Sequence, residues 1–153
     1  MINPSELDVY FRQLAISALD HSDDEQRFTY NTDHFSDAQR SELALDNPTM
    51  ILDDPRGTMH YNGGTWRSVT THGFWIVRRL ENTDWERQNV VVGLCNTKAL
   101  DILRLMIVNY EDQDGVMGHL IPDSIDFKAV GPLQNNCFGV YYSYSLRTPQ
   151  TLN

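Results

Sequence analysis

Apolar and polar positions follow two periods along the chain, and the places where the period changes divide it into elements. Between Pro4 and Leu19, Leu7, Tyr10, Phe11, Leu14, Ala15 and Ala18 recur at the spacing of one helix face. Asn3-Pro4-Ser5-Glu6 supplies the start: Asn3 can cap, Pro4 has no N–H to lose, and Glu6 sits at the capping-box position. Pro48–Leu52 is a short apolar run between turn residues and predicts a strand. Arg27–Tyr30 suits a short strand, and Ser36–Leu45 a short helix capped by Ser36. Arg56–Thr65, with Gly57, Asn62, Gly63 and Gly64, reads as a loop or hairpin tip, and Asn62-Gly63 suits its tight turn.

Trp66–Leu80 alternates strictly. Phe74, Ile76 and Leu80 share one face, while Gly73, Trp75, Val77 and Arg79 share the other. The period then changes to 3.6 residues. From Thr83, which Asn82 or Thr83 itself can cap with Glu86 as the reciprocal partner, an apolar face runs from Val91 to Tyr110. That is about five and a half turns of helix. Gly93 and Asn96-Thr97 are the positions where it would kink. Glu111–Gly115 ends it in a polar turn. Ile125–Val130 and Phe138–Leu146 alternate again around a turn at Gly131–Asn136 and predict a C-terminal hairpin. The order predicts one α+β domain over residues 1–153: an antiparallel sheet packed by one long helix and an N-terminal helix.

Composition sharpens this picture. Apolar residues make up 41% of the 153 residues, enough for a core, so disorder of the bulk is excluded. The net charge is −9. Residues 1–54 hold 12 acids and three bases, whereas residues 55–153 hold nine of each. Such a surface repels a phosphate backbone, so nucleic-acid binding is not expected. Met1–Pro4 runs straight into an amphipathic helix, without the apolar stretch of a secretory signal, and the longest apolar runs are too short to cross a membrane. Cys95 and Cys137 have no metal-ligand spacing and read as buried free thiols in a reducing compartment, while the sequence leaves open whether they pair.

Candidate chemistry is sparse. None of His21, His34, His60, His72 and His119 lies at helical ligand spacing from another. Asp33-His34 with Asp37 reads as a polar loop before a helix, and Glu111–Gly115 lacks the alternating ligands of a calcium loop. His72 has no nucleophile in a recognisable setting and reads as a strand histidine with a local hydrogen bond. The Gly63-Gly64 loop runs into a strand, where a phosphate cradle needs a helix. Asp84 with Arg87 and Gln88, and Asp101 with Arg104, are spaced as surface pairs. No catalytic, cofactor-binding or metal-ligating residue is therefore expected. The interface candidates are Arg56, Asn62, Trp66, Trp75 and Arg79, because Trp and Arg are enriched at interfaces.

The element order resembles the small tail-completion or tail-terminator proteins of tailed bacteriophages. It is carried by helix Pro4–Leu19, strand Pro48–Leu52, strand Trp66–Leu80, helix Thr83–Tyr110 and the pair within Ile125–Leu146. The resemblance implies a homo-oligomeric ring at the neck or tail end of a virion, assembled in the host cytoplasm, with other neck or tail proteins as partners. In such a ring the acids of residues 1–54 would line a lumen through which DNA slides without sticking. Two other readings stand beside it. One is a ligand-binding or enzymatic domain with a pocket between helix 83–110 and the sheet, lined by Phe74, Trp85, Tyr142 and Tyr144. The other is an intracellular adaptor that binds through Trp75 and Arg79.

Overall fold

The strict alternation of Trp66–Leu80 becomes the spine of a six-stranded sheet. A computed structural model describes residues 4–19, 28–30, 45–80, 85–133 and 136–150. Its strands are β1 (Phe28–Tyr30), β2 (Thr49–Leu52), β3 (Arg56–Asn62), β4 (Thr65–Arg79), β5 (Leu120–Leu133) and β6 (Cys137–Gln150). Two helices, α1 (Pro4–Ala18) and α2 (Trp85–Glu111), complete the α+β architecture, and a 3-10 helix at Gly115–His119 leads into β5. β4 and β6 pair over their whole length, from Trp66 opposite Gln150 to Arg79 opposite Cys137. β5 flanks β6. On the other edge of β4, β2 pairs with Phe74–Val77 and β3 with Thr65–Thr71. Every pairing is antiparallel except that of β1 with β2.

β2 and β3 are nearly one strand. Three residues, Asp53 to Pro55, stand against His72 and Gly73, a surplus of one that bends the edge as a bulge does. The Asp53 N–H still donates to the Gly73 carbonyl at 2.9 Å.

Both helices lie on the face bearing Phe74 and Ile76 of β4 and Val140, Tyr142, Tyr144 and Leu146 of β6. The α1 face read from sequence supplies Leu7, Phe11 and Leu14, and α2 supplies Val91, Cys95, Ala99, Ile102 and Met106. Each large apolar side chain buried this way contributes about 1.5–3 kcal/mol. Two hydroxyls in this layer find partners on α2: Tyr142 donates to Asn96 Oδ1 at 2.6 Å and Tyr10 to Asn109 Oδ1 at 2.7 Å. Burial raises the pKa of both phenols, and Asp114 adds to the effect at Tyr10.

The opposite face is not bare. Leu45, Ile51, Val77 and Cys137 form a second buried cluster at one end of it. Cys95 and Cys137 are both buried thiols, and desolvation pushes that of Cys95 up to about 12, so little thiolate forms there.

The structure departs from the sequence reading in four places. Arg56–Asn62 is a regular strand, because the exposed edge of β4 offers it a ladder. The turn residues are Gly63 and Gly64, not Asn62 and Gly63. Their φ values of 58° and 90° match a tight hairpin turn that glycine enters without a Cβ penalty. α2 runs unbroken through Gly93, Asn96 and Thr97, since its buried face anchors both sides of the weak spot. β5 extends from Leu120 to Leu133, with register shifts around Pro122 and Pro132. The caps Asn3, Asn82 and Thr83, the Asp33-His34-Asp37 group and all of the helix read at Ser36–Leu45 except Leu45, which lies in a turn, fall outside the described residues.

Candidate functional site

The β3–β4 hairpin carries three of the five interface candidates. Arg56 opens β3, Asn62 closes it, and Trp66 stands opposite Tyr61. All seven residues of β3 are exposed, and among the described residues no layer covers either side of it. Side chains alternate across the hairpin. Met59, Tyr61 and Trp66 fall on the helix-side face of the sheet, while Arg56, His60 and Arg67 fall on the other. Tyr61 and Trp66 pack with ring centroids 5.0 Å apart, yet Tyr61 remains 61% exposed and Met59 45%. Exposed apolar side chains clustered at a hairpin tip make it a candidate contact surface.

The two long edges of the sheet are built differently. β5 contains Pro122 and Pro132, two register shifts, and the exposed charges Asp123, Asp126 and Lys128, all devices that blunt an edge. β3 has no proline and no acid. Among the described strands it pairs only with β4. In a two-residue hairpin the residues flanking the turn bond to each other. Counting back from Asn62, the backbone groups of Gly57, Met59 and Tyr61 therefore point outward.

Electrostatics sets the hairpin apart as well. Residues 56–71, which form the hairpin, contain two arginines and no acid, and two more arginines, Arg78 and Arg79, stand at the far end of β4 beside Asp46. Division at residue 54 conceals this cationic stretch, because the acids after residue 80 balance it in the sum. A sliding charge window exposes it.

Trp75 and Arg79 do not join this surface. Trp75 packs on Tyr141 with centroids 4.3 Å apart, on the sheet face away from the helices. Tyr141 donates to Asp53 Oδ2 at 3.1 Å, and Gly73 leaves the room its ring occupies. Desolvation first, then Asp53, holds this phenol at about 12. Trp75 is thus covered within its own chain. Arg79 stands at the far end of β4, 3.6 Å from Asp46 across a cleft of about 410 Å³ that Arg78 and Arg87 also line.

α2 carries a second exposed apolar feature. Leu100, Leu103, Ile107 and Val108, with Arg104, line a shallow groove of about 500 Å³. Arg104 is held by Asp101 at 2.9 Å, the surface pair that the spacing predicts. One helical turn further along the same stripe come Glu111 and Asp112, followed by Asp114, all exposed.

The expected pocket between α2 and the sheet is filled. Phe74, Tyr142 and Tyr144 are at most 3% exposed. Phe74 stacks on Tyr142 at 5.7 Å, and Phe11 enters from α1 within 5.8 Å of Tyr144. The side chain of Trp85 lies outside the described residues. His72 sits in this layer, stacked on Tyr144 at 5.4 Å, with Nε2 2.7 Å from Thr70 Oγ1. This is the local hydrogen bond that the sequence suggested. Ser68 and Thr148 satisfy each other alongside, at 2.6 Å.

Burial lowers the His72 pKa from 6.5 to about 4. The folded chain therefore favours neutral His72 more than the unfolded chain does. This contribution is complete above pH 6.5 and is lost as pH falls from there through about 4. Urea titrations at pH 7.5, 6, 5 and 4.5 should show falling stability, less steeply in His72→Gln. Equal slopes in the two proteins would remove His72 as the source.

No protein family and no curated protein matches the chain. Among the described residues no helix is long and apolar enough to cross a membrane.

Proposed function

We propose that this chain is a structural protein that assembles into a homo-oligomeric ring, at the neck or tail end of a tailed-phage-like particle. The observation that carries the reading is the β3–β4 hairpin. Among the described residues it is exposed on both sides and unpaired along one edge; it is apolar on one face and free of acids, on a chain that is otherwise strongly acidic. A cationic arm and an anionic body on one molecule attract different parts of two copies. Such a head-to-tail contact closes into a ring when its rotation allows. The element order supports the virion assignment. It agrees with tail-terminator proteins in the N-terminal helix, the central strands, the long helix and the closing antiparallel pair.

Partners would be further copies and neighbouring neck or tail proteins, and the acids of the first third would face a channel that DNA crosses without sticking. Native mass spectrometry with negative-stain imaging tests the ring. A closed ring of one defined copy number is the expected result. A monomer at every concentration up to hundreds of micromolar would end this reading.

A further inference from the structure

Arg79 is firmly placed but short of hydrogen-bond partners. Its backbone N–H donates to the Leu45 carbonyl at 2.7 Å. The next residue, Leu80, is tied to Asn136 by two hydrogen bonds, so the end of β4 is pinned. The side chain is less well served. Its Nη1 stands 3.6 Å from Asp46 Oδ1, beyond hydrogen-bonding distance. Its Nε is buried without a partner, alone in this among the side-chain nitrogen and oxygen atoms of the described residues. A buried donor without an acceptor is costly and uncommon, and it points to a group that supplies one.

This side chain lines the cleft of about 410 Å³ between the end of β4 and the first two turns of α2. Arg78 lines it too and donates from Nε to the Asp46 carbonyl at 2.9 Å. Arg87 adds a third positive charge from the first turn of α2, where the helix N-terminus also favours anions. The described lining thus sets three arginines against one carboxylate, on a chain with 12 bases and 21 acids. Leu80, Val90 and Val91 form the rest of the wall. We propose that this cleft binds a small organic oxyanion, with Arg79 as the anchoring contact. Nε itself is closed to water, but about a third of the Arg79 side chain is exposed, and a slight turn brings Nε and a terminal nitrogen into the two-bond geometry that guanidinium makes with phosphate and carboxylate. The cleft is larger than an oxyanion fills, and its remaining wall is aliphatic, so the ligand carries a short apolar body beside its charged head. Asp46 competes for the same guanidinium, and with 69% of its side chain exposed it can swing aside.

Calorimetric titration of the full-length chain at fixed ionic strength tests the site, with inorganic phosphate, monobutyl phosphate and butyrate as probes. Monobutyl phosphate should bind about threefold or more tighter than inorganic phosphate, because its chain lies against the valines. Arg79→Gln should weaken binding by about tenfold or more, and Arg79→Lys should not restore it, since an ammonium lacks the planar fork. Asp46→Asn should tighten binding, because the competing carboxylate is gone. Val90 is 69% exposed at the cleft, so Val90→Glu should leave folding intact while setting a carboxylate against the incoming anion, and binding should weaken again. This variant keeps the test decisive if the arginine variants melt early.

Butyrate tighter than monobutyl phosphate would support the site and assign a carboxylate head, and the reverse order would support it and assign a phosphate ester. No saturable binding of any probe at tens of millimolar would overturn the site. Binding that persists unchanged in Arg79→Gln and Val90→Glu would also overturn it, since the anion would then sit elsewhere. The ring reading does not depend on either result.

Discussion

Gly139→Ala is expected to lower the melting temperature by about 10 °C, or to leave the chain unfolded. A Cβ at this position would meet the Ile76 carbonyl of β4 inside contact distance, with Val77 Cα only 2.9 Å away. The obstacles are backbone atoms of the longest ladder, three pairs from its end, so no rotamer change relieves them. β4 and β6 would have to part at this pair. Overpacking of this kind costs about 3 kcal/mol or more when the backbone cannot yield. For a chain of this size that corresponds to roughly 10 °C. Gly93→Ala is the contrasting substitution. A Cβ there meets nothing within 4 Å on an exposed helical turn, so alanine should gain about 0.5–1 kcal/mol. Equal melting temperatures for the two variants would show that the strands are not so close at Gly139.

Phe74→Ala carries the second large effect, expected at about 3–5 kcal/mol. Phe74 is fully buried where three elements meet: Phe11 of α1 lies 5.7 Å away and Tyr142 of β6 stacks at the same distance. Truncation removes the ring and leaves a cavity that α1 cannot fill without lifting from the sheet. Guanidinium titrations should show a lower midpoint with an unchanged slope, the signature of lost packing in a chain that still unfolds in one step. A loss below about 1 kcal/mol would mean that α1 is not seated on these rings.

Legibility of the fold followed the strength of local patterns. The alternation in β4 and β6 and the long face of α2 were readable because each repeats over many residues and one face of each is buried. The extent of β5 was not readable. Pro122, Pro132 and the acids Asp123 and Asp126 hide the alternation, and these same residues blunt it as an edge. β3 escaped for a different reason. Neither of its faces is buried, so its sequence carries no two-residue apolar rhythm, and only pairing with β4 makes it a strand.

The candidate surface was partly legible. Arg56, Asn62 and Trp66 fall on the hairpin because glycines and aromatics mark a turn that projects. Trp75 and Arg79 were chosen from their side of β4 alone, and a one-dimensional pattern could not reveal that Tyr141 and Asp46 reach them across 66 and 33 residues. The α2 groove went unnoticed because its leucines and valines continue the core stripe in sequence. Only the curvature of the helix surface separates the residues that turn inward from those left facing water.

The full-length pairing of β4 with β6 also decides how the molecule bears load. Fourteen residue pairs run in unbroken register from Trp66 to Arg79. A pull on the hairpin tip along the strand direction strains these rungs together, in shear. A pull across the sheet at β1 meets only three pairs and can open them one after another, like a zipper. A molecule pulled by its hairpin is therefore pulled at its mechanically strong end. Tension applied there would enter the central strands directly, while the weak parallel margin at β1 stays out of the line of force.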